Sequence, residues 1–181
     1  MKYIFNILLL CFFQYINAQG IPDSWMGKYQ GIMKLYSSED TPYTSVPVTL
    51  YLKNIEKDLT WQYQMIYGEK AKPGYVEKDY RLELRHDTLY MNEGEGVLLP
   101  MRKFGECLMD FYSIKDINGE SFMTSVLCLD LNGDFIYHLY GGSLIPIKKQ
   151  EIIEKHEHEL MELLTYRISF DQSVRLIKVE E

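Results

Sequence analysis

Cysteine, proline and long apolar runs are all scarce in this chain. Of 181 residues only three are Cys and six are Pro, and the longest apolar run, Ile4 through Phe13, is interrupted at Asn6. That run falls short of the roughly 20 apolar residues a membrane helix needs, so no membrane span is expected. Positive charge is short as well: 19 Lys and Arg stand against 26 Asp and Glu, giving a formal charge of −7. Such a balance argues against binding nucleic acid or anionic membranes. No G-x-S-x-G elbow, H-E-x-x-H helix, phosphate-binding loop or dinucleotide fingerprint occurs, so no cofactor is implied. Internal repeats, low-complexity stretches and interdomain linkers are missing too. The composition, 46% hydrophobic and 25% charged, is that of a globular protein and excludes disordered, collagenous and coiled-coil chains.

Residues 1–18, MKYIFNILLLCFFQYINA, combine Lys2, the apolar run and a small residue, Ala18. This is the three-part pattern of a secretory signal peptide cleaved before Gln19. Cys11 follows Leu10 rather than a small residue, which favours soluble export over lipid attachment. The expected mature protein is periplasmic or secreted, and residues 19–181 suffice for a single domain with its own core. Its two cysteines, Cys107 and Cys128, then lie in a compartment that permits disulfides. They sit on candidate strands 106–115 and 120–129, which flank the turn sequence Asp116-Ile117-Asn118-Gly119. If Lys115 pairs with Glu120, the cysteines face each other directly; a two-residue Asn118-Gly119 loop would make them diagonal neighbours. They are either bonded or packed as two thiols.

Period-two alternation dominates from Trp25 to Ile147. Trp25, Tyr29, Met33 and Leu35 share one face of 25–36, as do Val46, Val48, Leu50 and Leu52 in the next segment. Similar alternation marks 59–67, 75–85, 88–92, 97–101, 106–115, 120–129, 134–140 and 143–147, with a last strand at 173–179. About ten short strands at hairpin spacing imply an all-β, antiparallel up-and-down meander. An open sheet of that size would expose two edges and an apolar face, so closure into a barrel is predicted. One segment departs from the rhythm. In 149–165, Ile152, Ile153, Leu160, Leu163 and Leu164 can share a helical stripe, which predicts a C-terminal amphipathic helix acting as a lid or a surface cover.

Aromatics reach 14%, led by 15 tyrosines. Trp25, Tyr29, Trp61, Tyr63, Tyr67, Tyr80, Phe111 and Tyr137 are assigned to the inward faces. They either fill a solid core or wall a ligand cavity whose tyrosine hydroxyls supply polar tips.

Trp25-Met26-Gly27-Lys28-Tyr29 resembles the Trp-Gly opening of lipocalin-like (calycin) barrels. A wider set of pieces is similar to an uncharacterised family of exported bacterial lipocalin-like proteins. These are Trp61-x-Tyr63 with Tyr67-Gly68, Lys78-Asp79-Tyr80, Tyr90-Met91-Asn92-Glu93 with Gly96-Val97-Leu98-Leu99, and Gly133-Asp134-Phe135 to Gly141-Gly142. The resemblance covers roughly 25–142 and implies a lipocalin-like barrel without an established reaction. It also implies that Arg175, on the last strand, stacks on Trp25.

Catalytic and metal motifs are weak. Glu93 and Glu95 form a carboxylate pair in a turn, Cys107 and His138 are a nominal nucleophile and base, and His138 is a single candidate haem ligand. His156 and His158 point about 200° apart on a helix and cannot chelate one ion. No metal site and no catalytic residue are assigned. The leading expectation is an exported, non-enzymatic barrel that binds a small apolar or aromatic ligand inside. The competing expectation is an interaction module for an envelope or extracellular protein, using loops 37–43, 68–74 and 92–96. An enzyme would need converging carboxylates or a Cys–His contact in a cleft.

Overall fold

Alternating side chains give each strand one apolar face, and short turns place each strand beside its predecessor. The computed structural model, which describes residues 20–37, 41–117, 119–153 and 160–180, turns this pattern into a closed ten-strand antiparallel barrel. Strands β1 (Gly27–Tyr36), β2 (Thr44–Glu56), β3 (Thr60–Tyr67), β4 (Val76–Arg85), β5 (Thr88–Gly94), β6 (Val97–Phe104), β7 (Cys107–Asp116), β8 (Gly119–Leu129) and β9 (Phe135–Ser143) each pair with the next. The chain then forms a separate hairpin, β10 (Lys148–Ile153) and β11 (Leu160–Thr165), and returns as β12 (Phe170–Val179) between β9 and β1.

The predicted helix over 149–165 is corrected by this hairpin. Lys149 pairs with Leu164, Glu151 with Glu162 and Ile153 with Leu160, and no α-helix occurs among the described residues. The apolar members of the supposed stripe cluster at 152–153 and 160–164, with a wholly polar stretch between them. A helix there would have a central stretch with no apolar face, whereas two short apolar runs around a polar middle suit two strands and a turn. The strand expected at 143–147 is also absent: Ser143 ends β9, and 144–147 is irregular. The expected leader at 1–18, and His156 and His158, lie outside the described residues.

Closure depends on close backbone approach. A Cβ on Gly31 would lie 2.1 Å from the Arg175 carbonyl oxygen and 2.7 Å from Val174 Cγ2, so β12 can pass β1 there only against glycine. Likewise a Cβ on Gly142 would meet the Arg167 carbonyl oxygen at 2.0 Å, where the returning chain crosses β9.

One end of the barrel is filled. A 3₁₀ turn, Asp23–Trp25, carries Trp25 into the interior, where it and Tyr29 meet Phe135 edge-on with centroids 5.2 and 4.7 Å apart. The Tyr29 hydroxyl donates to the Trp25 carbonyl at 2.9 Å, and Trp25 Nε1 donates to Glu106 at 3.1 Å. Leu52, Trp61, Leu82, Leu89 and Leu176 complete the plug. The cation over Trp25 is Lys103, 5.7 Å from the ring centroid, not Arg175. Val174 and Leu176 take the inward positions of β12, so Arg175 turns outward and pairs with Asp130 and Asp134. Cys107 and Cys128 are joined by a disulfide and face each other directly, in the register that pairs Lys115 with Glu120.

Gly31→Ala should cost about 1–3 kcal/mol or more, the range for overpacking a tight contact, because the obstructing atom is backbone. Thermal unfolding checks this; a melting temperature equal to wild type would contradict the close approach.

Candidate functional site

Opposite the plug the barrel is hollow. Inward positions of β3 to β9 enclose a cavity of about 280 Å³, to which β1, β2 and β12 contribute no lining residue. On that excluded side Met33, Val48, Leu50 and Val174 fill the interior instead. The cavity floor is apolar, with Met65, Met91, Met101, Leu108 and Leu127 all buried. Towards the rim, Tyr67, Glu93, Tyr112, Met123 and Leu139 are half-buried and Lys78 is exposed. In an up-and-down barrel the connections β1–β2, β3–β4, β5–β6 and β7–β8 all lie at one end. That end is the cavity rim, and the β10–β11 excursion leaves and re-enters there.

The polar groups converge from different strands. Asp110 of β7 lies opposite Ser125 of β8 and is only 5% exposed. Ser125 donates twice to it, from its backbone N–H to Oδ1 at 2.8 Å and from its hydroxyl to Oδ2 at 2.5 Å. Glu93 stands at a β-bulge, where the β5–β6 register shifts between Asn92 and Gly94. Asn92 pins that bulge by donating to Glu83 at 2.8 Å and accepting from the Gly94 N–H at 2.9 Å. The Tyr80 hydroxyl donates to the Glu93 carboxylate, and the Tyr137 hydroxyl donates to Tyr67. The Tyr112 hydroxyl donates to the Met123 sulfur at 3.8 Å.

Burial governs the protonation of these groups. It raises the Asp110 carboxyl above its ordinary value, against the lowering effect of the Ser125 hydrogen bonds. It also raises Glu93, partly offset by the Lys78 charge and the Tyr80 hydrogen bond. Burial, with the Glu93 charge, pushes Tyr67 up to about 12. Burial, with the Asp110 and Glu93 charges, does the same to Tyr112, also to about 12. Tyr63, Tyr80 and Tyr137 are raised too, first by burial. The phenols are therefore neutral hydrogen-bonding groups at any physiological pH, and the carboxyls are the groups that titrate.

Of the eight aromatics assigned inward, Tyr63, Tyr67, Tyr80 and Tyr137 line the cavity. Trp25, Tyr29 and Trp61 are buried in the filled end. Phe111 is a correction: it is 67% exposed on the outer wall and stacks on Phe122. Leu108, Asp110 and Tyr112 take the inward positions of β7, which leaves the alternate residue outside. The Glu93–Glu95 pair is not brought together, because Glu95 occupies the tip of the β5–β6 turn with φ 51°. Cys107 is bonded to Cys128, and His138 lies on the outer face, stacked with Tyr140 and 3.5 Å from Asp171. Asp110, Ser125, Tyr112 and Lys78 were not anticipated as lining residues. The register that opposes the two cysteines also opposes Asp110 and Ser125, and that was the available signal. Among the described residues no cluster of three or more His, Cys, Asp or Glu could hold a metal ion, and no helix is long and apolar enough to cross a membrane.

No family model, curated protein or solved structure matches this chain.

A raised carboxyl pKa in the folded state contributes stability that is complete below the unfolded value and lost as pH rises through the folded one. Asp110→Asn, which keeps the shape and the acceptor oxygen for Ser125, should therefore gain stability over wild type as pH increases from 4 to 8. Parallel melting curves across that range test this; a constant or shrinking gap would contradict it.

Proposed function

We propose that this protein is an exported, non-enzymatic binding barrel that holds one small ligand with an apolar or aromatic body in the cavity of the β3–β9 wall. The observation that carries the reading is the hollow half of the barrel, with its floor of methionine and leucine and a few hydrogen-bonding groups above. Ligand sites have that mix of apolar walls and sparse polar tips. At about 280 Å³ the space lies at the small end of such sites and suits a single-ring or short-chain molecule. The Cys107–Cys128 bond supports an oxidising compartment, in keeping with the leader-like N-terminus. The Trp-Gly opening and the plugged end beneath an open one support a lipocalin-like kinship.

A second reading, an interaction module for an envelope or extracellular protein, is favoured by one feature. The β1–β2, β3–β4 and β5–β6 connections leave the barrel at one end, the end from which the chain also departs for and returns from the β10–β11 hairpin. Together they could present one composite surface around the rim.

A ligand at a hundred times its Kd adds about 2.7 kcal/mol to stability. For a domain of this size that is a rise in melting temperature of roughly 5 to 10 °C. Small aromatic probes should produce such a shift in wild type and none in Leu139→Trp, which fills the cavity from its half-buried rim. A solid interior that no probe stabilises, with a partner crosslinked from envelope extracts, would favour the second reading.

A further inference from the structure

The cavity holds an imbalance that its own walls do not correct. Asp110 is 5% exposed on the cavity wall, and among the described residues no lysine or arginine pairs with it. Its hydrogen-bond partners are the neutral groups of Ser125, and each of its oxygens keeps a free lone pair. Buried charges are ordinarily paired. Glu93 adds a second carboxyl to the same space, and the one cation among the described lining residues, Lys78, is at the exposed rim beside Glu93.

A second, independent feature lies in the same wall. Tyr63 is 6% exposed and lines the cavity. A phenol on such a wall offers a ligand both a hydroxyl to hydrogen-bond and a ring face to pack on. Tyrosine rings also stabilise a cation placed over their faces, and five tyrosines line this cavity.

Resting on the cavity reading above, we propose that the ligand is a small organic cation, an ammonium on an aromatic or short apolar body. Its nitrogen pairs with Asp110 and, secondarily, with Glu93, while the Tyr63 hydroxyl and neighbouring phenol rings complete its surroundings. An anion would meet two carboxyls inside and only one lysine, at the mouth. A wholly apolar molecule would leave Asp110 without a counter-charge.

The test compares three probes of one shape, 2-phenylethylammonium, 2-phenylethanol and phenylacetate, titrated calorimetrically into the mature protein at neutral pH. A charge-assisted hydrogen bond predicts about tenfold or more tighter binding of the ammonium than of the alcohol, with phenylacetate weakest. Asp110→Asn should abolish the ammonium's advantage over the alcohol, whichever way the alcohol's own affinity moves, and Glu93→Gln should reduce that advantage less. Equal or tighter binding of the alcohol or phenylacetate, or an ammonium preference unchanged in both variants, overturns the cation assignment while the cavity reading stands. Failure of all three probes to bind wild type overturns both.

Discussion

The structure depends on closing the ladder of hydrogen bonds. Nine strands laid side by side would end at β1 and β9 with two rows of unpaired N–H and C=O groups, each a template for aggregation. β12 satisfies both rows at once, pairing from Lys28 to Tyr36 on one side and from Phe135 to Gly141 on the other. That double pairing requires the chain to leave the barrel, return across the end of β9 and pass β1 at Gly31. Closure then decides the interior, because once the ring is complete every second residue must face inward. Eight strands already give an interior that side chains just fill, so ten leave room to be used or blocked.

The two halves of the interior use that room differently. Near the chain's start, Trp25, Tyr29, Trp61 and Phe135 supply enough volume to close the barrel completely. Towards the other end, the side lined by β1, β2 and β12 is filled by Met33, Val48, Leu50 and Val174, and the void is displaced against β3 to β9. Methionine, which adapts to irregular space, is concentrated around it. The polar residues are set on paired strands rather than loops, so backbone ladders determine their positions. Asp110 and Ser125 meet because their strands are in register, and Glu93 is set by a bulge that Asn92 holds from outside.

Much of the barrel was legible because its strands are amphipathic and its turns are short. The inward residues of β1, β2 and β3 were readable from alternation alone. Residues 149–165 were not, since short apolar runs fit either period when nothing anchors them. Phe111 shows a subtler limit. It was assigned to an inward face with the other aromatics, but strand parity is collective, and Leu108 inside forces Phe111 outside. The inward acids were hidden for the same reason: hydrophobicity marks a wall, and a carboxyl on that wall reads as an error in the pattern. Arg175 was outvoted by Val174 and Leu176 on either side. Its partners, Asp130 and Asp134, are distant in sequence and become neighbours only when β8, β9 and β12 assemble.

The disulfide lies on the outside of the barrel, yet its consequence is felt within. Cys107–Cys128 and Asp110–Ser125 occupy the same β7–β8 ladder, three rungs apart. Sliding one strand by a single residue would turn its inner side chains to solvent. The sulfur bridge forbids that slip, so oxidation of two thiols proofreads the placement of a carboxylate it never touches. A chain folded under reducing conditions would have to find the same alignment unaided, and an error there would empty the cavity of its charge without breaking the barrel.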